Sequence, residues 1–329
     1  MSAASALAEI PGRIERIFLN NDNKVNEHGI YGVNFYTLGI KHTVIVDDYL
    51  PLDRETGTTL FAHVGSDNAL WGPILEKAFA KYHGNYEHII GGHPSYSLRT
   101  LSGAPFYTMD HSEKTADEIW NELQSTDHAD DIIQMGTPGS NDQETNADGL
   151  SNNHAYTVIG VTTLSTGQRL VKLRNPWGSE EFKGAWSDSS SNWTNALKDE
   201  VNHESANDGI FFMSIEDYKA QAEETYFNPD VSDWHSAHFL MLDDNTQAEN
   251  PADDSWWCGT DCTMHTVTVK SDVAQTVHIT AHTWDDRCIA HQCKQWHVSK
   301  YHGMRLGNSW NTSLFKYGTS QTSVEMTAG

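Results

Sequence analysis

The chain has 329 residues, room for about two domains, and a formal net charge of −24. An acidic surface repels phosphate backbones, which disfavours nucleic acid as a partner, and no run of about 20 apolar residues is available to span a membrane. Hydrophobic residues make up 38% of the chain and eleven are tryptophan, a globular rather than a disordered composition.

The first nine residues have no basic head and too short an apolar run for a secretory signal. With four cysteines in a long chain, this predicts reduced thiols and a cytoplasmic location. Residues 3–9 are alanine-rich and predict a helix. Pro11 is expected to open a second short helix with Ile14, Ile17 and Phe18 on one face. Gly29 to Ile40 and His42 to Asp48 read as strands. From Trp71 to Tyr82, apolar residues fall at 71, 74, 75, 78, 79 and 82, the spacing of a helix with one buried face. Thr115 and Glu118 form a capping-box pattern that opens a helix through Ile119, Trp120 and Leu123. Ile132 to Met135 is a short strand.

Gly136 to Asn153 is a long polar segment. It predicts either the rim of a binding cleft or a disordered insertion. Ala155 to Thr163 and Arg169 to Asn175 alternate in polarity around Ser165-Thr-Gly-Gln168, the pattern of a hairpin. After Tyr226, Asn228-Pro-Asp marks a linker. Short strands are then expected at 238–242, 265–269 and 276–281, a β-sandwich pattern. Cys258-x3-Cys262 and Cys288-x4-Cys293, with His291 inside the second pair, offer zinc-ligand chemistry. Their spacing is looser than a zinc ribbon's, so free cysteines are the better reading and zinc is not expected.

The chemistry-bearing pair is His154, at the head of one hairpin strand, and Asn175, at the end of the other. A thiol protease uses a histidine to take the thiol proton and a side-chain amide to hold the imidazole tautomer. A two-residue turn at Thr166-Gly167 would set Asn175 opposite Val158. That is the same sheet face as His154 but about 13 Å away along the strand, so a bulge or a longer loop is needed for contact. Each residue alone has a plainer reading. A strand-end histidine finds some partner, and a strand ends where Pro176 biases its predecessor away from helix. No cysteine occurs before Cys258.

The longer strings are more telling. His154-Ala-Tyr-Thr-Val is followed by Leu170-Val-Lys-Leu-Arg-Asn-Pro-Trp-Gly178, Gly184-Ala-Trp-Ser-Asp188 and Asp208-Gly-Ile-Phe-Phe-Met-Ser214. Upstream lie Val46-Asp-Asp-Tyr-Leu-Pro51, Leu75-Glu-Lys-Ala-Phe-Ala-Lys81 and Gly84-Asn-Tyr-Glu-His-Ile-Ile-Gly-Gly92. In this order, over about residues 1–227, they resemble the calpain family of cysteine proteases. One departure is Asn153, where the family usually has glycine; it is expected to affect the backbone more than the chemistry.

The resemblance implies an α+β fold: a papain-like protease core followed by an antiparallel, C2-like β-sandwich. On that pattern residues 1–124 are the remainder of the helical half, 125–227 the β-rich half carrying His154 and Asn175, and 228–329 a sandwich with fewer strands than usual. It places Met1 inside the helix that carries the nucleophilic cysteine, so the core is expected to be truncated at its N-terminus and inactive as it stands. It implies protein substrates, a shielding role for Trp177, and calcium ligands at Glu181, Asp188, Asp208 and Glu87, with Ile210 standing where the family has an acidic ligand. The competing expectation is a pseudoprotease serving as a scaffold, with a protein partner covering the missing first segment.

Overall fold

The computed structural model describes residues 2–20, 24–65, 68–126, 131–179, 182–238, 272–282, 304–306, 309–311 and 319–326. It divides into two compact units, residues 1–37 with 41–233, and residues 38–40 with 234–329.

The larger unit opens with α1 (Ser2–Ala8) and α2 (Arg13–Ile17). The alanines of α1 let it pack closely: Ala3, Ala4, Ala6 and Leu7 are all buried. The second helix starts later than Pro11 predicts. Gly12, in a left-handed conformation, precedes it, while Ile17 and the flanking Phe18 fill the core as expected. Strands β1 (Ile30–Thr37) and β2 (Ile40–Asp47) pair as a two-stranded sheet. Helix α3 (Trp71–His83) follows the predicted apolar spacing, with Ile74, Leu75 and Ala78 buried. A 3-10 turn at Tyr86–Ile89 and α4 (Pro94–Ser102) complete this half. The core between α1, α3, α4 and β1 is one apolar cluster containing Leu7, Val33, Phe35 and Leu98.

The second half is built on a six-stranded antiparallel sheet in the order β3-β8-β4-β5-β6-β7. Its strands are β3 (Tyr107–Asp110), β4 (Ile132–Gly136), β5 (Ala155–Thr163), β6 (Arg169–Arg174), β7 (Ile210–Ser214) and β8 (Glu224–Asn228). The helices are α5 (Ala116–Thr126), α6 (Asn195–Val201) and α7 (Ile215–Gln221).

Alternation along the strands decides what each sheet face meets. Val171 and Leu173 of β6, with Phe211 and Met213 of β7, enter the core shared with Ile119, Trp120 and Leu123 of α5. Leu170 and Phe212 point the other way, into a smaller cluster with Trp186, Trp193 and Leu197. Burying a phenylalanine such as Phe211 contributes roughly 1.5–3 kcal/mol. The capping box forms: Glu118 N–H donates to Thr115 Oγ1 at 3.2 Å, and Thr115 N–H donates to Glu118 Oε2 at 2.8 Å.

The polar segment before His154 is ordered by its own side chains, contrary to the insertion alternative. Asn146 Oδ1 accepts from the backbone N–H groups of Asp148 and Leu150, both at 3.0 Å, and Leu150 is fully buried. Asn146 Nδ2 donates to Gln221 Oε1 at 2.7 Å, and Gln221 Nε2 donates to Asp148 Oδ2 at 2.6 Å. The loop is thereby pinned to the end of α7.

In the smaller unit β9 (Gln275–His282) matches the strand expected at 276–281 and pairs antiparallel with β12 (Thr319–Met326); β10 (Met304–Leu306) pairs with β11 (Ser309–Asn311). Residues 239–242 of the strand expected at 238–242, the strand expected at 265–269, and the four cysteines with His291 lie outside the described residues.

Candidate active site

The hairpin register is what brings His154 and Asn175 together. The turn has three residues, not two: Leu164 N–H donates to Gln168 O at 2.8 Å, leaving 165–167 as the loop, with Gly167 at φ 89°. A register shift between Val158 and Gly160 then inserts Ile159 as an extra residue. Together these pair Arg174 with Thr157. The next residue, Asn175, is therefore carried level with Tyr156 instead of Val158, two residues closer to His154. The sequence reading needed a bulge or a longer loop, and the chain has both.

His154 Nε2 lies 3.0 Å from Asn175 Oδ1 in a buried setting. The amide's orientation is fixed by its other bonds. Asn175 Nδ2 donates to Ser179 O at 2.6 Å, and Oδ1 accepts from Trp177 N–H at 3.1 Å. An amide oxygen only accepts, so Nε2 carries the proton toward it and Nδ1 is the ring nitrogen with the lone pair. The asparagine backbone is equally constrained. Asn175 N–H donates to Gly209 O at 2.8 Å, and Gly178 N–H donates to Asn175 O at 3.0 Å. Gly209 has φ +83°, and a Cβ there would stand 2.9 Å from Asn175 O and 3.0 Å from Gly178 Cα. That contact accounts for glycine after Asp208 in the motif.

The histidine is held from behind. His154 N–H donates to Thr137 Oγ1 at 3.0 Å, Thr137 N–H donates to His154 O at 3.0 Å, and Thr137 Oγ1 donates to Ser151 O at 2.6 Å. The Trp177 ring lies over the imidazole with centroids 4.3 Å apart, and Tyr156 meets it edge-on at 4.9 Å. Trp177 is 44% exposed, so it is a cover at the surface and not a buried turn aromatic. Arg174 pairs with Glu9 at the end of α1, which ties that helix to the strand end carrying Asn175.

A family model described as calpain family cysteine protease matches residues 1–226. The chain belongs to that family. It is 33% identical over 234 residues to the calpain-type cysteine protease ADL1 of Oryza sativa subsp. japonica, covering 69% of this chain and 11% of that protein. It is likewise 33% identical over 225 residues to calpain-14 of Homo sapiens, covering 67% of this chain and 32% of the relative. Calpain-5 of Caenorhabditis elegans is 30% identical over 224 residues, covering 58% of this chain and 34% of the relative. The chain thus spans about a tenth of the plant relative and about a third of the animal ones.

Membership gives the Asn153 departure a physical reading. Asn153 has φ 47°, the left-handed region. Glycine adopts that conformation freely and asparagine is among the few other residues that tolerate it, so the substitution leaves the approach to His154 intact.

The carboxylates expected to hold calcium are placed differently from the pair. Asp188 Oδ2 accepts from Ala206 N–H at 3.0 Å, and Oδ1 is 3.8 Å from His203 Nδ1. Asp208 Oδ1 accepts from Ile210 N–H at 2.9 Å. Glu87 is exposed on the 3-10 turn, and Glu181 lies outside the described residues. Among the described residues no group of three or more His, Cys, Asp or Glu is arranged to hold a metal ion. No described helix is long and apolar enough to cross a membrane.

Thr137, Gly209 and the Ser179 carbonyl were not singled out from the sequence. A threonine in a polar loop and a backbone oxygen carry no pattern of their own. Gly209 did, within Asp208-Gly-Ile, but its reason appears only when the turn at Gly178 is packed against it.

Proposed function

We propose that residues 1–227 are the histidine- and asparagine-bearing body of a papain-like, calpain-type cysteine endopeptidase, followed by a C2-like β-sandwich. The observation that carries the reading is the 3.0 Å contact of His154 Nε2 with an amide whose own orientation is locked. A thiol next to Nδ1 would give up its proton to His154. The thiolate would attack a peptide carbonyl, and the imidazolium would return that proton to the departing amine. Asn175 keeps the ring in the required tautomer, and Trp177 shields the bond between them from water.

Residues 1–257 contain no cysteine, so in this proposal the nucleophile comes from chain preceding α1, in the protein that contains it. A helix N-terminus there lowers a thiol pKa. The 329 residues by themselves are expected to leave casein uncut, with or without calcium; the paired assay tests the cation expectation as well. In a longer product carrying a cysteine at the start of α1, His154→Ala is expected to lower kcat by about a thousandfold or more, and Asn175→Ala less. Hydrolysis by the 329 residues alone, or full activity of the histidine variant, would refute the assignment. A natural product that lacks the cysteine would instead support the scaffold reading.

A further inference from the structure

We propose that a cavity of about 470 Å³ in the larger unit binds a carboxylate carried on a short apolar stem. Its walls come from α1, α2, β1, the end of α4 and residues 230–232. Leu7, Ile17 and Leu101 give it apolar surface. Arg13, Arg16, Asn34, Tyr36 and Asp230 give it polar groups, and among these donors outnumber acceptors.

Arg13 is 6% exposed, with Nη2 3.2 Å from Asp230 Oδ2. That carboxylate is already engaged elsewhere. It accepts from Ser232 N–H at 2.9 Å and from Ser232 Oγ at 3.0 Å. Asn34 is 4% exposed; its Oδ1 accepts from Thr43 Oγ1 at 2.9 Å, and its Nδ2 donates to no group among the described residues. The Tyr36 hydroxyl and the Arg16 guanidinium also make no hydrogen bond or ion pair among the described residues. Two guanidiniums against one carboxylate leave one net positive charge in the lining of a chain whose net charge is −24.

The Arg16 guanidinium, the Tyr36 hydroxyl and Asn34 Nδ2 can all donate to an entering acceptor. A single carboxylate fits: it balances one residual charge, a guanidinium accommodates it bidentately, and the apolar surface takes the stem. A phosphate dianion would bring a second negative charge toward Asp230 and the leucines, which is unfavourable in a partly desolvated site. The chemistry is shared by a free organic acid and by the terminal carboxylate of a peptide. Neither His154 nor Asn175 lines the cavity, so this proposal does not depend on the proteolytic reading.

Calorimetric titration of the full chain with hydrocinnamate, and separately with acetyl-Ala-Ala-Phe bearing a free C-terminus, tests it. The amide of each compound and inorganic phosphate serve as comparisons. At least one acid is expected to saturate, with its amide about tenfold weaker or more, one charge-assisted contact being worth about that factor. Arg16→Ala should weaken the acid by about tenfold, with Tm unchanged because the side chain is exposed. Tyr36→Phe should weaken it less. Binding of hydrocinnamate alone identifies a small acid as the ligand; binding of the peptide alone identifies a chain terminus. No saturation by either acid below about 10 mM, an amide as tight as its acid, or phosphate tighter than both would overturn the proposal.

Discussion

His111 and His154 are both buried beside the six-stranded sheet, and they are held in different ways. His111, just after β3, is 3% exposed, and its Nε2 lies 2.7 Å from Thr225 Oγ1, which is 2.8 Å from the Tyr218 hydroxyl. A hydroxyl can give or take a proton in a hydrogen bond, so Thr225 meets Nε2 without dictating the ring's tautomer. Burial, first among the causes, pushes the His111 pKa down to about 4, and the ring stays neutral in ordinary conditions. His154 is bonded to an amide oxygen that can only accept and cannot flip, since Trp177 N–H and Ser179 O hold it. Both rings are buried beside a partner; the amide oxygen next to His154 has one permitted role, and the hydroxyl next to His111 has two.

The largest test of this contrast is Asn175→Leu. The substitution keeps the volume roughly but strands three groups: the His154 Nε2–H, the Trp177 N–H and the Ser179 carbonyl. The first is buried and the other two only partly; at about 1–3 kcal/mol for an unmatched buried group and less where water can reach, the expected loss is about 3–4 kcal/mol in urea unfolding. Nitrogen NMR of the His154 ring should show the tautomers mixing while His111 is unaffected. A loss below about 1 kcal/mol would mean that the corner is held by its backbone bonds and not by the amide.

Much of this contrast was legible in the sequence, and the illegible part has a definite cause. The periodicity of α3, the capping box of α5 and the polarity of the β5–β6 hairpin are local signals, and the chain folds as they say. The motif strings named both members of the pair. Their contact was hidden because it depends on one residue in a turn and one in a bulge, and strand alternation is blind to both. His111 gave no signal at all. Its partner Thr225 is 114 residues away, on a strand that sits between β3 and β4 only by sheet topology. The strand that joins β3 to β4 in this sheet, β8, ends in the predicted linker, because Asn228-Pro229 follows its apolar run.

The next test concerns acid. The ordinary histidine pKa is 6.5, and in the folded chain His111 stands at about 4. The unfolded state therefore binds the proton more readily between those values. The stabilisation from a neutral His111 is complete above about pH 6.5 and is lost as pH falls toward 4, to a total of about 3 kcal/mol. Urea midpoints measured from pH 7 to 4.5 should fall in the native chain and flatten in His111→Gln, whose amide can still meet Thr225. Equal slopes in the two proteins would remove His111 as the cause.

The smallest expected effect on stability is also the most selective between the two rings. Trp177 is 44% exposed, so Trp177→Ala should cost under about 1 kcal/mol, well short of the loss for a fully buried tryptophan. The backbone N–H at 177 survives the substitution and still donates to Asn175 Oδ1, so the amide stays locked and the tautomer is kept. Only the ring lying 4.3 Å from the imidazole is removed. Diethyl pyrocarbonate should then modify His154 several-fold faster, while His111, enclosed by Tyr218 and Thr225, reacts no faster than before. If both histidines accelerate together, the indole is a structural support of the whole sheet end; if neither does, something other than Trp177 covers the pair. Only acceleration confined to His154 shows that the indole is a removable cover, separate from the bonds that fix the orientation of the ring.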